Sequence, residues 1–222
     1  MASFVFILSL FSAAVSLQPV SGDTASPRNK PILIRWEGPV FPSEPYRTLY
    51  VADINDLWNK VLDINSDWVA EMPDPDETMT NFGPRTCDVE SGLATGNSDE
   101  VTNLLTQLRA LNGHWTLEAK KCHRIGCRGN TGLYWCNDND WNVRVPAKSL
   151  YLHGSHIRDM CCHGSDGSLY SGDPMSGIED FLDSDRHAAH TRVLVGYGRC
   201  SDPANVNPLT YPFPGYFGFC RT

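Results

Sequence analysis

Residues 131–145 read Thr131-Gly132-Leu133-Tyr134-Trp135-Cys136-Asn137-Asp138-Asn139-Asp140-Trp141-Asn142-Val143-Arg144-Val145. Leu133 and Trp135 recur at the two-residue period of a strand, and so do Trp141, Val143 and Val145. Between them, Asn137-Asp138-Asn139-Asp140 is turn chemistry, because short amide and carboxylate side chains bond their own backbone and accept tight turns. The pattern predicts a β-hairpin, so an antiparallel sheet is the frame for the rest of the chain.

Upstream of this stretch, Ser98 is placed to cap a helix in which Val101, Leu104, Leu105, Leu108 and Leu111 recur at helical spacing, with Asn112-Gly113 as the stop. Trp115, Leu117 and Ala119 then alternate as a strand. Downstream, Pro146 suits the first turn of another helix, with Leu150, Ile157 and Cys161 facing inward and Gly154 weakening it. Arg192 to Tyr197 reads as a last core strand. Near the start of the chain, Ile32, Ile34 and Trp36 alternate as a short strand that Pro39, Pro42 and Pro45 end. Asp53 is placed to cap a helix running to Val69 and carrying Ile54, Leu57, Trp58, Val61 and Trp68. Glu71 to Glu77 combines prolines with like charges and reads as a linker. Helices and antiparallel strands in this order predict an α+β fold: a disulfide-stapled antiparallel sheet with two or three packed helices.

Phe4 to Leu10 is an apolar run of signal-peptide length, too short for a membrane span, and small residues at Ala14-Val15-Ser16 and Val20-Ser21-Gly22 offer two cleavage sites. The second is preferred and leaves Asp23 at the mature start, although no Lys or Arg precedes the core. No later segment is apolar over the roughly 20 residues a span needs. The organisation expected is a signal peptide over 1–22, a Cys-free arm with one helix over 23–80, and a Cys-rich α+β core with an aromatic tail over 81–222. All eight cysteines, Cys87, Cys122, Cys127, Cys136, Cys161, Cys162, Cys200 and Cys220, lie in that last segment. An even count in a secreted chain implies full pairing, with about 105 connectivities open. Adjacent Cys161 and Cys162 are expected to take separate partners, since a bridge between neighbours strains the peptide. With 18 basic against 26 acidic residues the net charge is -8, which repels phosphate backbones and argues against a nucleic-acid partner.

Several features occur together: Cys87 ahead of the Leu-rich helix, Cys122-His123-Arg124-Ile125-Gly126-Cys127, the strand ending in Cys136-Asn137-Asp138-Asn139, a helix ending in Cys161-Cys162, and a Val-Leu-Val strand before Cys200. The set resembles small cysteine-rich secreted proteins of filamentous fungi, a group that includes effector candidates and has a distant likeness to killer-toxin-type folds. The resemblance spans about half of the chain, from Cys87 to Cys200. It implies a compact α+β fold with helices on an antiparallel sheet, secretion, and no assigned catalytic residues. The long N-terminal arm, the insertion around Met175 to His187 and the tail bearing Cys220 depart from the pattern.

Two histidine pairs, His153 with His156 and His187 with His190, have the spacing that places imidazoles on one helix face. A metal would need a third ligand such as Asp159, His163 or Asp185 to converge. Solvent-exposed histidines are the favoured reading, so no metal or cofactor is expected. Cys122-His123 and Cys162-His163 juxtapose the residue types of a thiol nucleophile, but paired cysteines leave no free thiolate. No Gly-x-Ser-x-Gly elbow is present. Asn137 to Asp140 begins like a calcium loop but has Asn142 and Lys148 where that loop needs Gly and Glu. Asp180, Asp183 and Asp185 read as a solvated acidic patch, and no catalytic residue is assigned.

In the tail, Tyr211, Phe213, Tyr216 and Phe217 form a candidate binding surface if exposed and a strap across the sheet if buried; Cys220 favours the strap. The functional expectation is a secreted effector-like or toxin-like protein that binds an extracellular or host target, a protein or a glycan. The alternatives are a carbohydrate- or cell-wall-binding protein and a secreted hydrolase. The hydrolase requires His, Asp or Glu side chains to converge in a pocket.

Overall fold

A computed structural model describes residues 33–70, 82–87, 91–162, 174–182 and 188–210. The expected signal segment, the linker over 71–77 and the aromatic tail with Tyr211, Phe213, Tyr216, Phe217 and Cys220 lie outside the described residues, as do His163, Asp183, Asp185 and His187.

In chain order the elements are β1 (Ile34–Gly38), β2 (Arg47–Val51), α1 (Ile54–Ile64), β3 (Arg85–Cys87), β4 (Gly96–Asn97), α2 (Ser98–Arg109), β5 (His114–Leu117), β6 (Lys121–Arg128), β7 (Thr131–Asn137), β8 (Val143–Pro146), α3 (Ala147–Cys161), β9 (Pro174–Met175), β10 (Gly177–Asp180) and β11 (Thr191–Tyr197). The α+β class holds, with all strand pairings antiparallel. The strands divide over a four-stranded sheet, β2-β1-β5-β8, a five-stranded sheet, β3-β10-β11-β7-β6, and the short pair β4-β9.

The strands that the 131–145 stretch predicts both form, but not as a hairpin. β7 pairs with β6 and β11 in the larger sheet, while β8 pairs with β5 in the smaller one. Packing explains the division. Across the smaller sheet one row runs from partly buried Leu49 to buried Trp36, Trp115 and Val145, and Val145 completes it only by lying opposite Trp115. Both tryptophans are fully buried.

Asn137, at the end of β7, ties the two sheets instead of turning a hairpin. Its Nδ2 donates to the carbonyls of Leu117 at 3.3 Å, Glu118 at 3.0 Å and Trp141 at 2.8 Å. Its Oδ1 accepts from the backbone N–H and side-chain amide of Asn139 at 3.0 and 2.9 Å.

Helix α2 packs on α3, α2 covers β6 and β7, and α3 covers β10 and β11. Leu104, Leu105 and Leu108 of α2 are buried as their spacing requires. The cap is Asn97 rather than Ser98: the Asn97 Oδ1 accepts from the N–H groups of Asp99 and Glu100, while Ser98 is buried. Gly154 of α3 marks the closest approach of the two helices, because a Cβ there would sit 2.6 Å from a Leu105 methyl. Gly113 has φ +110°, and its Cα faces the Glu37 carbonyl so closely that a Cβ would stand 2.3 Å from it, which lets the chain leave α2 beside β1.

Helix α1 is capped by Asp53 as expected but ends at Ile64, five residues short of the predicted Val69. Asn65 stops it: its Nδ2 donates to the Val40 carbonyl at 2.8 Å and its Oδ1 accepts from the Asp67 N–H. Trp68 therefore lies beyond the helix and packs edge-on to Trp58, with ring centroids 4.8 Å apart.

Three disulfides join Cys87 to Cys161, Cys122 to Cys136 and Cys127 to Cys200, and Cys162 is bonded separately from Cys161. They staple β3 to α3, β6 to β7, and β6 to the segment after β11.

Replacing Asn137 with Ala leaves several buried carbonyls without their donor and is expected to cost on the order of 3 kcal/mol. Urea unfolding at neutral pH checks this; a loss below about 1 kcal/mol would mean that the amide is not the tie between the sheets.

Candidate functional site

Strand register places a carboxylate on the helix-covered face of the larger sheet. One row across that sheet runs Arg85, Glu179, Val193, Trp135, His123. The Glu179 side chain is fully buried, and two imidazoles from α3 reach it. His153 Nδ1 lies 3.0 Å from one carboxylate oxygen and His156 Nδ1 is hydrogen-bonded to the other. Aromatic rings close the cluster: Phe82 stacks on His156 at 3.9 Å, and Phe181 lies 3.9 Å from His153.

His153 and His156 thus share a face as their spacing predicts, but they are not the exposed histidines expected. His153 is fully buried and His156 is three-quarters buried. The third partner is Glu179, not Asp159, whose carboxylate pairs with Arg158. Arg85 decides against a metal. Its Nη1 lies 3.4 Å from His156 Nε2, and because arginine only donates, that nitrogen accepts, which leaves the ring hydrogen on Nδ1 pointing at Glu179. No metal-holding group of three His, Cys, Asp or Glu side chains occurs among the described residues. Both carboxylate oxygens are occupied and shielded, so the cluster fastens β10 to α3.

The other paired motifs also serve the fold. Cys122 is bonded to Cys136, and buried His123 donates from Nε2 to the Ala52 carbonyl at 2.7 Å, which ties β6 to the entrance of α1. Asn137 has its oxygen engaged by Asn139, so the apparent calcium loop is an amide network. Tyr134 is buried beside the loop that Arg124 holds, and burial pushes its phenol up to about 12. Asp180 is more than a solvated acid: Arg192 lies between it and Asp138, at 3.5 and 2.7 Å. These residues and His190 line a cavity of about 510 Å³.

A groove of about 540 Å³ lies open between the β1–β2 connection and the end of α1. Pro39, Val40, Phe41 and Pro42 form one wall, Asn65, Asp67, Trp68 and Val69 the other, and Asn112 contributes from beyond α2. This volume falls in the roughly 300–1,000 Å³ range of small-ligand sites. Trp68 is fixed there, because its Nε1 donates to the Pro39 carbonyl at 3.1 Å and its ring makes a T-shaped contact with Trp58. Arg47 stacks over the Phe41 ring at 4.8 Å and pairs with Glu44 at 3.0 Å. Periodicity missed this site because it counted Trp68 as a core position of a longer helix. The proline spacing before it was the available signal, since three prolines in seven residues cannot extend the sheet.

Desolvation pushes the His123 imidazole below its ordinary value of 6.5, with the Ala52 hydrogen bond acting the other way; burial and then Arg144 lower His114 in the same direction. The unfolded chain therefore takes up the proton first, so this contribution to stability is complete above about pH 6.5 and declines as pH falls below it. Urea midpoints followed from about pH 8 to about pH 5 are expected to drop on the acid side, and His123→Gln to flatten the drop. An identical slope in the variant would assign the effect elsewhere.

No protein-family model, no curated protein and no solved structure matches this chain.

Proposed function

We propose that this protein is exported and acts as an effector-like or toxin-like binding protein, engaging an extracellular or host target through the groove between the β1–β2 connection and α1. Three disulfides are typical of extracellular proteins and support export, as does the signal-like run at Phe4 to Leu10. The observation that carries the reading is the groove itself. It is open, and a tryptophan held by its own indole N–H lines it, so little side-chain freedom is lost when a partner docks.

The reactive side chains support binding over turnover. The described cysteines are all disulfide-bonded. Glu179 is enclosed by two imidazoles. A hydrolase reading is best favoured by the cavity where Asp138, Asp180 and His190 meet, but Arg192 stands between the two carboxylates, where a carboxylate pair acting on a bond or a water needs free space.

Two measurements test the proposal. Protein recovered from the culture medium of the producing organism is expected to begin at or near Asp23; recovery only from cell extract, with the N-terminal segment intact, would end the export reading. Trp68→Ala is expected to abolish retention of the target from host or competitor extracellular fluid while lowering the melting temperature by only a few degrees, since Trp68 is partly exposed. Full retention by the variant would remove the groove from the function.

A further inference from the structure

The groove has a chemical preference that the binding reading, on which this inference rests, does not specify. Its lining side chains include one carboxylate, Asp67, and no cation. Asp67 has no ion-pair partner among the described residues, in contrast to Glu37, Glu44, Asp56 and Glu100, which all pair with arginine or lysine. The neighbouring Trp68 presents an indole whose position is set by Pro39 and Trp58. A tryptophan face beside an unneutralised carboxylate is the combination that attracts an organic cation, since the ring quadrupole and the negative charge act together.

The opposite wall already shows the same chemistry within the chain. There the Arg47 guanidinium lies 4.8 Å over Phe41 and 3.0 Å from the Glu44 carboxylate, so an aromatic ring and an acid jointly hold a cation at the groove's edge. On the Asp67 and Trp68 wall the ring and the acid are present, and no cation pairs with them among the described residues. The net charge of -8 draws basic partners toward the surface and repels acidic ones.

We propose that the groove receives a lysine or arginine side chain of a protein partner, with the cation against the Asp67 carboxylate and its alkyl stem along Trp68.

The test uses the disulfide-intact protein, with Trp fluorescence and calorimetry at low salt, and a pentalysine peptide, the same peptide acetylated on every side chain, and a neutral chito-oligosaccharide as probes. Pentalysine is expected to bind and to weaken as salt rises; Asp67→Asn and Trp68→Ala should each reduce its affinity about five- to tenfold, and Trp68→Phe should restore part of the loss. Asp140→Asn removes the same formal charge at an exposed site paired with Lys120, and it should leave affinity unchanged. Equal losses in Asp67→Asn and Asp140→Asn would reduce the effect to net charge and overturn the proposal. Undiminished binding of the acetylated peptide would overturn it as well. Binding of the oligosaccharide but not of pentalysine, still abolished by Trp68→Ala, would overturn the cationic assignment and leave the binding groove standing. If neither probe binds and Trp68→Ala also retains the extracellular target, the binding reading fails with it.

Discussion

Glu179 lies fully buried on the helix-covered face of the larger sheet, directly beside Val193 in a row with Trp135 and beneath a helix. A carboxylate taken out of water costs several kcal/mol unless its oxygens are matched by donors. Both donors come from one helix, and they reach the carboxylate only if α3 lies along β10 at a fixed height. The surrounding residues enforce that height. Cys161, at the end of α3, is bonded to Cys87 of β3, the strand beside β10. Gly177 of β10 has no side chain because Ile157 and Cys161 lie too near, with a Cβ there only 2.6 Å from Ile157 and 2.9 Å from the Cys161 sulfur. Disulfide, glycine and imidazoles thus specify one docking of helix on sheet.

A second polar tie fixes the two sheets to each other. Asn137 bonds to the end of β5 and to the segment that leads into β8, while Asn139 donates to the Ala189 carbonyl just before β11. Because these amides are buried and Asn137 is bonded through both its nitrogen and its oxygen, they hold the sheets at one relative position rather than merely adding stability. The Trp36 and Trp115 row then closes the smaller sheet, and the β1–β2 connection emerges from it toward the end of α1. The groove exists because Asn65 and Trp68 each bond to a carbonyl of that connection, at Val40 and Pro39, and hold the two segments side by side. Its open walls contrast with the closed Glu179 cluster: both Glu179 oxygens are engaged by imidazoles, whereas Asp67 on the groove wall has no ion-pair partner among the described residues.

Much of this architecture was legible in residue order. The Leu-rich period of α2, the start of α3 after Pro146, the cap at Asp53 and the strands at Trp36, Trp115, Trp135 and Val193 all follow from local periodicity and capping chemistry. The errors share a cause. Reading Ser98 as the cap instead of Asn97 moved a boundary by one residue, since both side chains are competent and only the buried position of Ser98 separates them. The extension of α1 to Val69 counted Trp68 as a helical core residue when a long-range bond from Asn65 ends the helix. The hairpin at Asn137 misassigned partners, because β7 and β8 each fit a strand but the choice of neighbour belongs to the tryptophan row. The burial of the histidine pair is not legible locally, because the carboxylate that engages it arrives from a strand 23 positions beyond His156.

Taken alone, residue order determined the presence of the three helices, the strands at Trp36, Trp115, Trp135, Val143 and Val193, the class, the even count of cysteines and the acidic character of the surface, since each depends on neighbours within a few positions or on sums over the chain. Tertiary structure alone decided which strands share a sheet, which cysteines join, that two histidines enclose Glu179, and that Trp68 lines a groove instead of extending a helix. Those outcomes depend on distances between residues far apart in the chain, where register and desolvation, rather than local propensity, select the partner.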